Sequence, residues 1–141
     1  MSQSPLYLVD SSAWARAGHA PVAARLADLA AAGVLACATP QVLEIMYSAR
    51  NAAEWDQTEH ALRAFTFLEA SKQSDELAQS LQEALMRAGK LRSVGPMDLL
   101  IAGLARAHGA TVVHYDSDYD HVASVDPEFR HEWIVPRGTA S

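Results

Sequence analysis

The stretch Leu6-Tyr7-Leu8-Val9-Asp10 decides how the rest of the chain is read. Four apolar residues in a row that end on an acid read as a buried strand, stopping where charge must meet water. Near the other end, the largely apolar run Thr111-Val112-Val113-His114-Tyr115 ends in the same way, on Asp116. In an open parallel sheet the crevice beyond the carboxyl ends of the strands is the usual ligand site, so acids placed there at opposite ends of the sequence can converge. Between them, Glu44 lies within a helical pattern and Asp98 opens a second helix. Together the four acids describe a metal pocket.

Working outward, strand-like and helix-like stretches alternate. Pro21 opens a helical stretch with Val22, Leu26 and Leu29 on one stripe, and Gly33 is placed to end it. Val34 to Ala38 reads as a short buried strand. Thr39-Pro40 reads as an N-cap with proline at the first helical position, launching a helix through about Arg50. A further helix covers about Glu54 to Ala64, and Thr66-Phe67-Leu68 reads as a third strand against a competing helical periodicity. Ser74-Asp75-Glu76 is expected to cap a helix running to Gly89. Gly95-Pro96 starts another that runs to His108 and stops at Gly109. The fourth strand follows, then a turn at Asp116 to Asp118 with a short helical segment, and Glu132 to Val135 is expected as an edge strand. Strands separated by helices imply right-handed crossovers and a parallel sheet with helices on both faces.

The 141 residues suffice for a single domain that buries roughly 68 to 70% of the surface its unfolded chain would expose. Cys37 has no second cysteine to pair with, and the opening Met-Ser-Gln-Ser-Pro lacks a basic and an apolar targeting region, so a cytoplasmic protein is expected. No membrane is expected either, because no apolar stretch approaches the roughly 18 residues of a span. A net charge of −6 argues against a protein that coats nucleic acid with a basic face. It leaves a nuclease open, since a cluster of metal-binding carboxylates supplies several of those charges.

The chemistry of the acids follows from their charge. Two carboxylates about 4 Å apart repel by about 4 kcal/mol at an effective dielectric near 20, so a pocket of four requires a cation. Oxygen ligands, with no second cysteine and no histidine pair at metal spacing, point to Mg²⁺ or Mn²⁺ over zinc. Such an ion keeps several waters, favours phosphate oxygens and can activate water for in-line attack on phosphorus. A phosphoester substrate is expected.

Four segments carry a resemblance. Leu8-Val9-Asp10-Ser11-Ser12, Thr39-Pro40-Gln41-Val42-Leu43-Glu44, Pro96-Met97-Asp98-Leu99-Leu100-Ile101-Ala102 and Val113-His114-Tyr115-Asp116-Ser117-Asp118-Tyr119-Asp120 resemble, in order, the four acidic motifs of the PIN-domain ribonucleases. Within that family the chain looks most like a VapC-type toxin of a bacterial toxin–antitoxin pair. The resemblance covers nearly the whole chain. It implies a single-domain α/β/α sandwich with a mostly parallel four- to five-stranded sheet. It further implies Mg²⁺- or Mn²⁺-dependent endoribonuclease activity on a structured RNA, a homodimer, and inhibition by a small VapB-like antitoxin. By position, Asp10, Glu44, Asp98 and Asp116 match the core acids, Ser12 the hydroxyl two residues after the first acid, and Asp118 the variable auxiliary acid.

Each of these residues also has a plainer reading. Asp10 could be a turn or N-cap residue, Asp98 a partner of the helix dipole, and Ser12 a cap of the following short helix. Glu44 among Val42, Leu43, Ile45 and Met46 needs a partner if it faces inward. Asp120 reads as part of a solvated acidic turn, His114 and His121 as surface histidines, and Trp14 and Trp133 as packing. Arg87, Lys90 and Arg92 are either a solvated helix end or the phosphate-gripping rim of an RNA groove. The rival function is a receiver-like or phosphatase-like Mg²⁺ domain with an aspartate phosphoacceptor. A receiver needs a lysine after a late strand, and the only lysines are Lys72 and Lys90; the phosphatase pattern needs an acid where Ser12 stands.

Overall fold

In the computed structural model, which describes residues 4–140, the opening apolar run forms β1 (Leu6–Val9), the central strand of a five-stranded sheet. It pairs in parallel with β2 (Val34–Cys37) on one side and with β4 (Thr111–His114) on the other. The short β3 (Thr66–Phe67) extends the sheet beyond β2, and β5 (His131–Trp133) extends it beyond β4, giving the order β3-β2-β1-β4-β5 with every pairing parallel. The chain therefore builds the sheet outward in one direction from β1, then returns to add β4 on β1's other side. That reversal makes the β1–β4 seam the switch point at which such sheets form a crevice.

Alternation along the strands assigns the two faces. Leu8, Ala36 and Val112 face one way and pack with Leu81 and Leu85 of α5 (Lys72–Arg87), Ile101, Ala102 and Leu104 of α6 (Pro96–His108), and Tyr119 and Val122 of α7 (Asp118–Val125). Val9 and Val113 face the other way, against Ala13 of α1 (Ser11–Trp14) and Val22 and Leu29 of α2 (Ala20–Ala32). The result is a sheet whose central strands are covered on both sides, as expected for parallel strands as apolar as β1 and β2. The third cluster, Ile45, Met46 and Leu62, joins α3 (Thr39–Tyr47) to α4 (Ala52–Leu62).

Packing of α5 on α6 is close at one point. A Cβ on Gly103 would lie 2.4 Å from the Ser74 carbonyl oxygen, so no larger residue fits without parting the helices. Gly109 ends α6 in the left-handed region at φ 67°, where glycine carries no Cβ penalty.

Several boundaries differ from those expected. Ala38, not Thr39, is the N-cap of α3, and the helix ends at Tyr47 instead of continuing to Arg50. Ala38 has no side-chain acceptor; Gln41 closes the end in reverse, its Oε1 accepting the Ala38 N–H at 2.6 Å. The N-cap of α5 is Ser71, whose hydroxyl oxygen accepts the Ser74 N–H, while the Ser74 hydroxyl oxygen accepts the Ser71 N–H in return. Helix α5 stops at Arg87, before the positive-φ Gly89. Strand β5 begins one residue earlier than expected and ends at Trp133. Residues 1–3, part of the opening read for targeting signals, lie outside the described residues. Among those described, no helix is long and apolar enough to cross a membrane.

Candidate metal centre

Asp10 directly follows β1, and its backbone N–H donates to the Val113 carbonyl at 2.9 Å, so its position is fixed by the β1–β4 ladder. The side chain is buried. It is the N-cap of α1, with Oδ2 accepting the Ser12 N–H at 3.1 Å and the Ser12 hydroxyl at 2.6 Å. The capping reading of Asp10 is thus correct and does not compete with the site reading. Ser12 is the donor and not the cap; its Oγ in turn accepts the Tyr115 N–H at 2.8 Å, tying the exits of β1 and β4 together.

Asp116 lies two residues beyond β4, where its Oδ1 accepts the Asp118 N–H at 2.9 Å and shapes the turn into α7. Asp98 occupies the first turn of α6, and Glu44 is carried by α3. Helix α3 is anchored by Gln41, which is fully buried: Nε2 donates to the Val9 carbonyl at 3.0 Å and lies 3.4 Å from that of Ala36. One amide therefore fastens the start of α3 to the ends of β1 and β2, and so sets where Glu44 stands.

These elements bring the acids into two triads. Ligand atoms of Asp10, Glu44 and Asp98 lie within 4.8 Å of one another, as do those of Asp98, Asp116 and Asp118. Asp98 belongs to both. Burial, followed by the charges of Asp10, Asp116, Asp118 and Glu44, pushes its carboxyl up to about 8. Glu44 is also pushed above the usual carboxylate range, by burial first and then by Asp10 and Asp116. Asp118 is raised by burial and Asp116, against the pull of its hydrogen bond with Asp98 and the charge of His121. All donors in the two triads are carboxylate oxygens, a set that fits a hard divalent cation.

Other expected residues fall elsewhere. Asp120 is exposed, stands outside both triads and accepts the Trp133 indole N–H at 3.2 Å. Trp14 packs edge-on against Phe65, and Trp133 against Tyr115 and His114. Arg87 pairs with Glu83 on the exposed face of α5, Lys90 donates to Ser124 Oγ, and Arg92 is exposed on the 3-10 turn that precedes α6.

His114 is not a surface histidine. It is fully buried at the end of β4, stacked on His131, with its ring nitrogens 3.1 Å from the Asp116 N and 2.8 Å from His131 Nδ1. Since Nδ1 accepts from Asp116, Nε2 carries the proton and donates to His131. Burial, reinforced by His131, holds its pKa down to about 3, so the ring stays neutral. Sequence reasoning also passed over Tyr119, which is fully buried and whose hydroxyl donates to Asp10 Oδ1 at 2.8 Å. The aromatic residue between two acids in Asp118-Tyr119-Asp120 was the available signal.

Residues 7–125 match the PIN domain family. Ribonuclease VapC51 of Mycobacterium tuberculosis is 38% identical over 133 residues, covering 94% of this chain and 96% of that protein. Ribonuclease VapC18 of the same organism is 38% identical over 137 residues, covering 95% and 98% respectively. Among solved structures, VapBC2 from Rickettsia felis bound to a DNA fragment from its promoter aligns with a TM-score of 0.77 at 20% identity, covering 91% of this chain and 98% of that one. The DNA-bound VapBC from Salmonella typhimurium aligns at 0.75 and 18% identity, covering 93% and 99%. With its fold, its ordered acids and these relatives, the chain belongs to the PIN-domain family, among the VapC ribonucleases.

Proposed function

We propose that the chain is a Mg²⁺- or Mn²⁺-dependent endoribonuclease that hydrolyses phosphodiester bonds in a structured RNA, acting in the cytoplasm as the toxin of a toxin–antitoxin pair. The observation that carries this reading is the sharing of Asp98 between two acidic triads at the carboxyl ends of β1 and β4. Asp10, Asp98 and Asp116 would hold the cation, with Glu44 and Asp118 completing its charge environment. When bound, such an ion supplies Lewis acidity toward a phosphoryl oxygen and lowers the pKa of an attacking water. The chain's own residues do the rest. Glu44, exposed on the open side of the pocket with its carboxyl pushed above the usual carboxylate range, would be the group to accept a proton from an attacking water. Ser12 keeps Asp10 oriented through its two donors. Arg87, Lys90 and Arg92 form the rim that grips phosphates, offsetting the repulsion between RNA and the acids.

The solved relatives are VapBC toxin–antitoxin structures, which supports a small VapB-like antitoxin as partner of this chain. A guanidinium from that partner would suit the pocket, since its permanent charge and planar fork of donors match carboxylates. The exposed Leu43, Tyr47, Trp55 and Phe67 offer an apolar surface for such a partner and for a second copy of the chain in a homodimer. The receiver- or phosphatase-like alternative is not favoured, because the family match is to nucleases.

Purified protein freed of antitoxin is expected to cleave RNA only when Mg²⁺ or Mn²⁺ is supplied. Asp98→Asn is expected to abolish cleavage while leaving the fold intact by circular dichroism, since an amide cannot supply the charge that holds the ion. Full activity in excess EDTA would overturn the metal mechanism.

A further inference from the structure

We infer that Tyr119 is a positioning residue for the metal centre: its phenol holds the Asp10 and Asp98 carboxylates at the spacing an incoming divalent cation requires. The inference rests on the metal-dependent nuclease reading above and extends it to a residue that contributes no metal ligand of its own.

The geometry is specific. Tyr119 lies in the first turn of α7, fully buried, with its hydroxyl 2.8 Å from Asp10 Oδ1 and 3.3 Å from Asp98 Oδ1. The phenol has one proton, and the shorter contact assigns it to Asp10, with Asp98 at the edge of the same donor. The two oxygens of Asp10 are thereby divided: Oδ2 takes both Ser12 donors, and Oδ1 takes Tyr119. Without the phenol, Oδ1 would have no donor among the described residues, in a side chain that is almost fully enclosed. Asp10 would then be held through Oδ2 alone, and the contact that spans Asp10 and Asp98 would be lost.

The ring is itself held in place. It stacks on Phe129 with centroids 6.1 Å apart and packs on His114 at 4.8 Å, so the hydroxyl has little freedom to follow the carboxylates if they move. Burial and the neighbouring acids raise its pKa well above that of an ordinary tyrosine, and it remains a neutral donor throughout the working range. This is the role that outer groups commonly play at metal sites: they orient the ligands, and their loss costs about 10- to 100-fold in metal affinity or activity. Tyrosine suits the position because its ring packs on Phe129 and His114 while its hydroxyl reaches Asp10.

Tyr119→Phe keeps the ring and removes only the hydroxyl. Titration of full-length wild type and variant with Mn²⁺ by calorimetry, alongside RNA cleavage at graded Mn²⁺, is the test. The expected result is a Kd for Mn²⁺ raised about 10-fold, with cleavage at saturating Mn²⁺ largely restored. Phe129→Leu, which loosens the packing and keeps the hydroxyl, is expected to lower the melting temperature and leave the Kd within about twofold. An unchanged Mn²⁺ Kd in a folded Tyr119→Phe protein would overturn the positioning role and leave the nuclease reading intact. So would an equal loss of affinity in Phe129→Leu, because packing alone would then account for the effect. Wild-type protein that binds no Mn²⁺ and cleaves no RNA would overturn the nuclease reading itself, and the inference with it.

Discussion

Asp10 and Asp98 carry the same carboxyl group in different surroundings, and the difference sets opposite consequences for their amides. Asp10 accepts three hydrogen bonds, from the Ser12 backbone, the Ser12 hydroxyl and Tyr119, so its charge is well satisfied by the protein. Asp98 receives only the long contact from Tyr119 and its hydrogen bond with Asp118, and it faces four other acids. In excess EDTA, Asp98→Asn is expected to raise the melting temperature, and Asp10→Asn to lower it by the several degrees that about 1 to 2 kcal/mol implies in a chain of this size. The pH dependence has a definite sign. A carboxyl whose folded pKa is raised contributes stability that is fully present below its unfolded value near 4 and is lost as pH rises through about 8. Metal-free wild type should therefore become less stable from pH 4 to 8, and Asp98→Asn should flatten that fall. Thermal melts across the range check it; parallel curves for the two proteins would show that Asp98 is not the titrating group. Mg²⁺ should stabilise wild type more than the variant, through linkage between binding and folding. The acids were legible in the sequence because each stands where an apolar run or helix signal meets charge. Tyr119 and the buried His114 were not, because their roles depend on partners brought in by the fold, such as Asp10 at a separation of 109 positions.

At the scale of elements, punctuation decided what could be read. Helix α6 is bounded by Gly95-Pro96 and Gly109, residues whose backbone preferences act locally, and both its ends fell where expected. The start of α3 was displaced because Ala38 has no side-chain acceptor and the bond runs backwards, from its N–H to Gln41. The start of α5 was displaced because Ser71 and Ser74 cap each other reciprocally, which sets the cap three residues before the Ser-Asp-Glu run. Gln41 carries the larger consequence. Its carboxamide closes the end of α3 and grips Val9, so it links the helix that bears Glu44 to the strand that delivers Asp10. Gln41→Leu preserves approximate volume and strands the Ala38 N–H and the Val9 carbonyl in a buried setting. Each orphaned group costs about 1 to 3 kcal/mol, so a loss of about 2 to 6 kcal/mol is expected by urea unfolding. Cleavage at a fixed low Mg²⁺ concentration should fall further than the unfolded fraction explains, because Glu44 is no longer held. Activity that tracks the folded fraction alone would confine Gln41 to stability.

For the whole molecule the difficulty is charge. A chain of net charge −6 whose site gathers five carboxylates must attract a polyanion, and a cation in the pocket neutralises only part of the repulsion. Attraction must then come from a local concentration of basic groups that the net charge conceals. Arg87, Lys90 and Arg92 are the proposed source, at the end of α5 and on the turn that leads into the helix bearing Asp98. Their present partners do not bind them tightly. The Arg87–Glu83 pair is exposed, a class worth little in water, and Lys90 is held by one exposed hydroxyl. Each can transfer to a phosphate at small cost. Replacing all three by alanine in an Asp98→Asn background, which prevents cleavage, is expected to weaken RNA binding. Each lost phosphate contact removes about 0.7 from the slope of log affinity against log salt for single strands, so the slope should flatten by up to about 2. Filter binding from low to moderate salt measures it directly. Weaker binding with an unchanged slope would mean that the substitutions act through shape and not through phosphate contacts. The three residues would then be an ordinary solvated helix end, and the grip on RNA would have to lie on another edge of the acid pocket.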